Sequence, residues 1–546
     1  MSPLWILLAG LATVIGSILV FRLHAFLSLV LGAFVVGLLT PAHAVLDFEL
    51  KAKRVAIVDR LDQSLVAVEP LSIEPVKPQF VLHTENGPTP LELLASTDLD
   101  ADQVSEFEGK SFFRAVDDVT IPDDAIIVKA SDYSAAKQMA AKSIFGRMTS
   151  GLGTTCGKIG LLIAFASVIG YCLQASGAAA RIVNSMLKIT SERGAPLGFM
   201  LSGFLLGIPV FFDTVFYLMI PLGQALHRKT GKSYLLYVLS IVAGGTMAHS
   251  LVPPTPGPLF VADALGVDLG AMMIGGTIVG LGTLLVGYVW TVGIIRMGAE
   301  LKLPDDLELP AENEERVLPG LFVSLLPIVL PVIFIALPLT LKAADASLGA
   351  TADSVFKTLG DKNIALAIAA IIALALAVIY RDRSQAPLIE SIEKALGSAG
   401  IIILITAAGG AFGGMLRSSG LSLAGLVEDG ASPTMLVTLA FVATTVIRTA
   451  QGSATVAMMT AVGIFGPLAA GRVEDLGFSP LYLALAIGAG SKPIAWMNDS
   501  GFWVITRMSG MSEAQGLKYV TPMTTLMGLA GLALLLIGVR VWPMAF

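Results

Sequence analysis

Two stretches of this chain begin as apolar membrane helices and then break at polar residues deep inside apolar sequence. The first runs from Ala195 to Pro258 and contains Asp213, His249 and Pro253-Pro254-Thr255-Pro256-Gly257-Pro258. The second runs from Ala440 to Gly501 and contains Arg448, Gln451-Gly452-Ser453-Ala454-Thr455 and Asn498-Asp499-Ser500-Gly501. Irregular backbone at membrane depth persists only where protein buries it or a water-filled cavity meets it, because hydrocarbon satisfies no N–H or C=O. An ionisable side chain there costs about 2.5–3.5 kcal/mol on insertion scales, so it is kept for a task. Breaks at corresponding positions of two halves point to a solute-binding site near the midplane.

Composition confirms the membrane setting. Of 546 residues, 55% are hydrophobic and 14% charged, which excludes an ordinary soluble protein. Apolar runs occur at Leu4–Val20, Ala25–Leu39, Gly160–Leu173, Leu235–Leu251, Met272–Ile294, Leu318–Leu339, Ile364–Ile379, Ile401–Leu416 and Met523–Val539. A span takes roughly 20 residues, so with the broken segments roughly a dozen membrane elements are expected. The net charge of -6 is spread along the chain without a basic block, so the partner surface is a lipid bilayer and not nucleic acid. The two cysteines, Cys156 and Cys172, lie in or near an apolar run and read as small core residues; no metal site and no cofactor are expected. The N-terminus lacks a basic n-region and a small-residue cleavage site, so it does not read as a cleavable signal. Arg22 and His24 after the first run place the N-terminus outside and the first loop inside.

The expected organisation is two transmembrane helices in 1–44, a soluble α/β insert in 45–138, a transmembrane repeat in 139–299, a linker with connecting helices in 300–397 and a second repeat in 398–546. The insert is rich in Asp and Glu, with short strands expected at Val55–Val58, Leu65–Val68 and Ala125–Val128 between Pro, Asp and Asn-Gly turns. If Arg22 marks the inside, the insert lies outside the cytoplasm. It carries no recognisable catalytic constellation and reads as an accessory or partner-binding module. The repeat shows as Gly170-Tyr171-Cys172-Leu173-Gln174-Ala175-Ser176-Gly177 against Gly413-Gly414-Met415-Leu416-Arg417-Ser418-Ser419-Gly420. The distances from Gly177 to Pro254 and from Gly420 to Asp499 are nearly equal. Basic residues flank Ala195–Leu226 on both sides (Arg181, Lys188, Arg193; Arg228, Lys229, Lys232), as for a re-entrant hairpin with both ends inside. The matching segment Met435–Ala470 has Glu428 and Asp429 before it and Arg472, Glu474 and Asp475 after it, which is less basic, as for an outside-facing hairpin. The fold class is therefore an all-α polytopic membrane protein with two inverted-topology repeats, re-entrant hairpins, broken helices and a small α/β insert.

The breaks supply the chemistry. The four prolines between 253 and 258 prevent a continuous helix, and the half-helix resuming near Leu259 offers a positive N-terminal dipole. Gly452-Ser453 does the same in the second hairpin, and Asn498-Asp499-Ser500-Gly501 breaks the opposing helix. Together with Thr255, Gly257, Gln451 and Thr455 they form a site of helix ends, hydroxyls and amides suited to a small anionic solute. Arg448 reads either as a bidentate carboxylate ligand or as the structural partner of Asp213 or Asp499. Asp213 sits in apolar Pro209-Val210-Phe211-Phe212, where a carboxylate takes up and releases a proton, or stays permanently paired. His249 is a proton relay or a packing residue, and Lys492 snorkels or pairs with an acid.

At His249-Ser250-Leu251-Val252-Pro253-Pro254-Thr255-Pro256-Gly257-Pro258, Arg448-Thr449-Ala450-Gln451-Gly452-Ser453-Ala454-Thr455-Val456-Ala457 and Asn498-Asp499-Ser500-Gly501-Phe502-Trp503 the chain resembles the gluconate permease (GntP) family of proton-coupled sugar-acid transporters, in the ion transporter superfamily. The resemblance covers nearly the whole chain except the insert. It implies secondary active transport in the cell inner membrane, two inverted repeats with paired hairpins, and a homodimer. Against that pattern, Asp213 stands where a glutamate is usual, Thr255 and Trp496 replace histidines, Gln451 and Lys492 replace apolar residues, and Ser500 replaces a proline. Three functions follow: a symporter of a hydroxylated carboxylate such as gluconate with protons, a sodium-coupled organic-anion transporter of the same fold, or a membrane sensor or enzyme working through the insert. The last would need a metal or nucleophile constellation, and none is evident.

Overall fold

The computed structural model describes residues 3–544 apart from 22, 56, 61–64, 69–79, 85–86, 95–110, 116–120, 122–125, 304–316, 344–349, 382–386, 420–431, 470–476 and 498. The chain opens with α1 (Pro3–Leu19) and α2 (Ala25–Leu39), which bends by 100° into α3 (Ala42–Ala52). Strands β1 (Ile57–Arg60), β2 (Leu65–Val68), β3 (Phe80–Thr84), β4 (Gly87–Leu94), β5 (Ser111–Ala115) and β6 (Ile126–Lys129) follow, then α4 (Ala130–Ala141). The first repeat contains α5 (Ile144–Ala175), α6 (Ala178–Gly207), α7 (Phe212–Thr230), α8 (Tyr234–Leu251), α9 (Pro256–Ala264) and α10 (Leu269–Arg296). Three connecting helices come next, α11 (Leu321–Ala343), α12 (Ala350–Leu359) and α13 (Lys362–Tyr380). The second repeat contains α14 (Leu388–Arg417), α15 (Pro433–Gln451), α16 (Ala454–Ala469), α17 (Leu481–Gly490), α18 (Ser500–Ser509) and α19 (Glu513–Val541).

Among the described residues, six helical segments are long and apolar enough to cross a membrane, or seven if α2 and α3 make one bent span. One of the six is the broken pair α8–α9, and the shorter apolar helices include both arms of the second hairpin. The outward faces of α10, α13 and α19 carry exposed Ile278, Leu285, Ile371, Ile379 and Ile537, as a lipid-facing surface requires. The centre is the reverse case. Every residue of α17 and nearly all of α8 is buried, and both are apolar all round, the pattern of a helix enclosed by others.

The two-fold relation of the repeats is visible in which helices touch. Equivalent helices pair across the axis, α5 on α14 and α10 on α19. Within each half, the hairpin's first arm lies on the broken helix, α6 on α8 and α15 on α17. These contacts are backbone-close. A Cβ on Gly244 would lie 2.1 Å from the Met200 carbonyl oxygen, and one on Gly490 would lie 2.5 Å from that of Phe441. Small residues permit this approach, the usual way membrane helices gain packing energy without a hydrophobic drive. Across the halves, the second part of each broken helix packs on the other repeat's hairpin, α9 on α16 and α18 on α7.

The first hairpin is reached through a kink inside α6 at Ser191, whose φ is 56°. Its helices meet at residues 208–211, and α7 ends at Gly231 with φ 66°. Arg228 and Lys229 in that last turn complement the helix dipole.

The insert is an antiparallel six-stranded sheet in the order β1-β2-β5-β4-β3-β6. It stands on α3 and α4 through Leu50, Ile126, Val128 and Ala136. Strands β3, β4 and β5 lie beyond the three that the sequence pattern offered. Pro88 and Pro90 within β4 conceal it, yet they fit, because among the described residues pairing with β5 begins only at Leu91 and leaves that side of the strand without a partner at both prolines.

Candidate functional site

All four breaks meet at the centre. Breaks 208–211 and 252–255 belong to the first repeat, and 452–453 and 491–499 to the second. The broken helices touch at equivalent serines: Ser491 Oγ donates to Ser250 Oγ at 3.1 Å, each hydroxyl lying at a helix end and buried. Beside this contact is a cavity of about 270 Å³. Its polar wall contains Asp213, Thr246, His249, Arg448, Ser453, Thr455, Ser491, Lys492, Asp499, Ser500 and Thr524, and its apolar wall includes Phe211, Ile402, Ile405 and Met459.

Arg448 holds the second break in shape. Its side chain is 4% exposed; Nε donates to the Ser491 carbonyl at 3.0 Å and Nη2 to Asp499 Oδ2. Asp499 also accepts from Gly501 N at 2.9 Å through Oδ1 and thereby caps α18. Arg448 Nη1 is buried and has no acceptor among the described residues. Lys492 is buried beside Arg448, close enough to Asp499 and His249 for their charges to interact. His249 presents its ring edge to Phe211, with centroids 6.0 Å apart, and its Nδ1 is buried without a partner among the described residues. Asp213 lies in the first turn of α7, within electrostatic reach of Asp499.

The loop 491–499 is over-determined. Ile494, a β-branched residue, has φ 57°, and Thr525 Oγ1 accepts from its N–H at 3.0 Å. Thr521 Oγ1 donates to the Ala495 carbonyl, and Trp496 Nε1 to that of Thr449 at 3.0 Å. Left-handed backbone at such a residue persists where its surroundings impose it, commonly at functional sites.

Three helix N-termini point into the cavity: α7 at Phe212, α16 at Ala454 and α18 at Ser500. Each offers unpaired N–H groups and a partial positive charge. Two bring their own carboxylate, Asp213 on α7 and the cap Asp499 on α18. Among the described residues the third, α16, has the Ser453 hydroxyl and no carboxylate of its own; that hydroxyl accepts from Val456 N at 3.3 Å. That end, with Arg448 Nη1 and Lys492 nearby, is an anion pole without an anion of its own.

The structure brings Asp213, His249, Arg448, Ser453, Thr455, Lys492, Asp499 and Ser500 to one cavity. It places four other candidates elsewhere. Thr255 is buried and donates to the Val252 carbonyl at 2.8 Å. Gly257 packs on Met458, whose Cε is 2.1 Å from the position of a Cβ there. Gln451 Nε2 donates to Thr460 at 3.3 Å. Gly452 makes the left-handed turn that ends α15, with φ 77°. The half-helix expected near Leu259 begins at Pro256, and its N-terminal turn is buried against α16, so its dipole does not face the cavity. Asn498 lies outside the described residues. Sequence reading missed Thr246, Thr521, Thr524 and Thr525; the last three recur at helical spacing in an apolar run, a signal it could have used.

The family model for GntP family permeases matches residues 124–541. An uncharacterized permease of Haemophilus influenzae is 31% identical over 76% of this chain and 86% of its own length. A low-affinity gluconate transporter of Escherichia coli K12 is 31% identical over 74% of this chain and 91% of its own. The solved Alcanivorax borkumensis YdaH transporter, 14% identical, superposes with a TM-score of 0.51 over 78% of this chain and 93% of that one, and shares the fold. The chain belongs to the GntP permease family and is a multi-pass membrane permease, not an enzyme.

Proposed function

We propose that this permease is a symporter that carries a small hydroxylated carboxylate, such as gluconate or a related sugar acid, together with a proton. The observation that carries the reading is the uncompensated anion pole at the start of α16, where Arg448 Nη1 lacks an acceptor among the described residues. A carboxylate answers both needs, since it accepts N–H bonds from a helix end and from a guanidinium fork. The hydroxyls of Thr246, Ser500 and Thr524 on the same wall suit a polyol tail. The gluconate transporter among its relatives supports the substrate class.

Charge balance supports coupling. Arg448 and Lys492 face Asp213 and Asp499 in one cavity, two cations against two carboxylates. A monocarboxylate adds one negative charge, and enclosing an unbalanced charge is costly. A proton taken by Asp213 restores neutrality, because Asp499 is held by Arg448 and by the α18 cap. Sodium would meet the same balance, so the test must separate the two. Labelled gluconate uptake into proteoliposomes is measured under an imposed pH gradient and, separately, a sodium gradient. Uptake should follow the pH gradient without sodium. Uptake that follows sodium alone sinks proton coupling, and uptake of no sugar acid under either gradient sinks the substrate class. Asp213→Asn should abolish gradient-driven accumulation and leave gluconate exchange at about wild-type affinity.

A further inference from the structure

A second cavity, of about 230 Å³, lies between the start of α5, the end of α9 and the glycine-rich end of α14. The insert closes it, through Val45 and Glu49 of α3 and Met139 of α4. It stands back to back with the central site. Met459 lines the first cavity and Phe260 the second, and each comes to 3.5 Å from the point a Cβ on Gly409 would occupy. The two spaces therefore adjoin at Gly409, with Met459 on one side and Phe260 on the other.

Most charges around this cavity are matched. Asp263 lies between Lys158 at 3.6 Å and Lys362 at 3.7 Å. Arg417 feels the carboxylates of Asp263 and Glu49. Arg147 differs, for its Nε and Nη1 are buried and meet no acceptor among the described residues. Buried donors are almost always satisfied, and a charged donor left unmet is the costliest case, so a missing acceptor here is informative. The cavity beside Arg147 has room for one, with the Ser150 and Thr154 hydroxyls on its wall.

We propose that this cavity is a second binding site for a small carboxylate, anchored by the Arg147 guanidinium and lidded by the insert, which receives solute on the Phe260 side of Gly409. A guanidinium presents parallel N–H donors that match a carboxylate, and the surrounding hydroxyls favour a hydroxylated one. The identity of the solute, though not the existence of the site, rests on the function proposed above.

The test uses the full chain in proteoliposomes with Cys156→Ser and Cys172→Ser, and Met139→Cys as a thiol reporter on the cavity wall at a side chain that gives the solute no hydrogen bond. Arg448→Gln is added to disable the central site. Labelling by a charged thiol reagent is timed with gluconate, and with neutral glucose as control. Gluconate at saturation should slow labelling roughly fivefold or more, as occupancy of the site predicts, and glucose should not. Arg147→Gln should remove the protection, and Arg147→Lys should keep part of it, which a merely structural arginine would not produce. Labelling indifferent to gluconate, or protection that survives Arg147→Gln, overturns the second site. Gluconate uptake by the parent chain is a separate readout: uptake without protection refutes this inference alone, and protection without uptake refutes the symporter reading alone.

Discussion

The two broken helices are built on one plan and have been put to different use. Each ends its first half at a buried serine and resumes on a hairpin of the other repeat. The first break, 252–255, is packed shut: Thr255 bonds its own turn, and Gly257 fits against Met458. The second, 491–499, is long and charged, and hydroxyls of α19 hold it open. The first repeat instead contributes Asp213 and His249 from elements that adjoin its break. The symmetry fixes where a cavity can form, and the residues filling each break decide which one lines it.

The largest expected effect is at Arg448. Arg448→Gln removes the cation bonded directly to the half-buried Asp499, a loss of up to about 3 kcal/mol, and should abolish gluconate uptake. Adding Asn at position 499 (Asp499→Asn) removes the stranded charge and should recover most of the stability, read as thermal unfolding in detergent, but none of the uptake. A double variant that transports at the wild-type rate would reduce Arg448 to a strut.

Next come the glycines where the two halves should behave alike. Gly244→Ala drives a methyl into the Met200 carbonyl, and Gly490→Ala into that of Phe441. Overpacking of this kind costs about 1–3 kcal/mol, and both variants should melt earlier by similar amounts. A stable Gly244→Ala beside an unfolded Gly490→Ala would show that only the second half needs the close approach.

How much of this was legible in the sequence depends on whether a residue betrays itself locally. The breaks did, because Pro253 and Asp499 cannot sit quietly in an apolar helix. Thr246 did not: its hydroxyl donates to the Val242 carbonyl one turn back, at 2.7 Å, so it is tolerated anywhere in the helix and gives no signal. The Ser191 kink is marked only indirectly, by Gly194 and Pro196 in the turn that follows it. Thr255 and Gly257 read as ligands because they lie at a break, whereas tertiary packing turned that break inward. Which of two similar breaks faces the cavity is a long-range property that no local pattern encodes.

The smallest expected effect separates the breaks most cleanly. Ser453 and Thr255 both sit immediately before a half-helix, at α16 and α9. Ser453→Ala removes an N-terminal hydrogen bond and should cost about 1 kcal/mol of stability. Thr255→Val removes a buried hydroxyl bond and should cost a similar amount, about 0.5–1.5 kcal/mol. The transport readout should diverge. At α16 the hydroxyl borders the anion pole, so its loss should raise the KM for gluconate several-fold with the maximal rate nearly unchanged. At α9 the helix end is buried against α16, and KM should stay at the wild-type value. Equal shifts in KM would mean that both half-helices reach the solute in some step of the cycle, and the division of labour between the two breaks would fail.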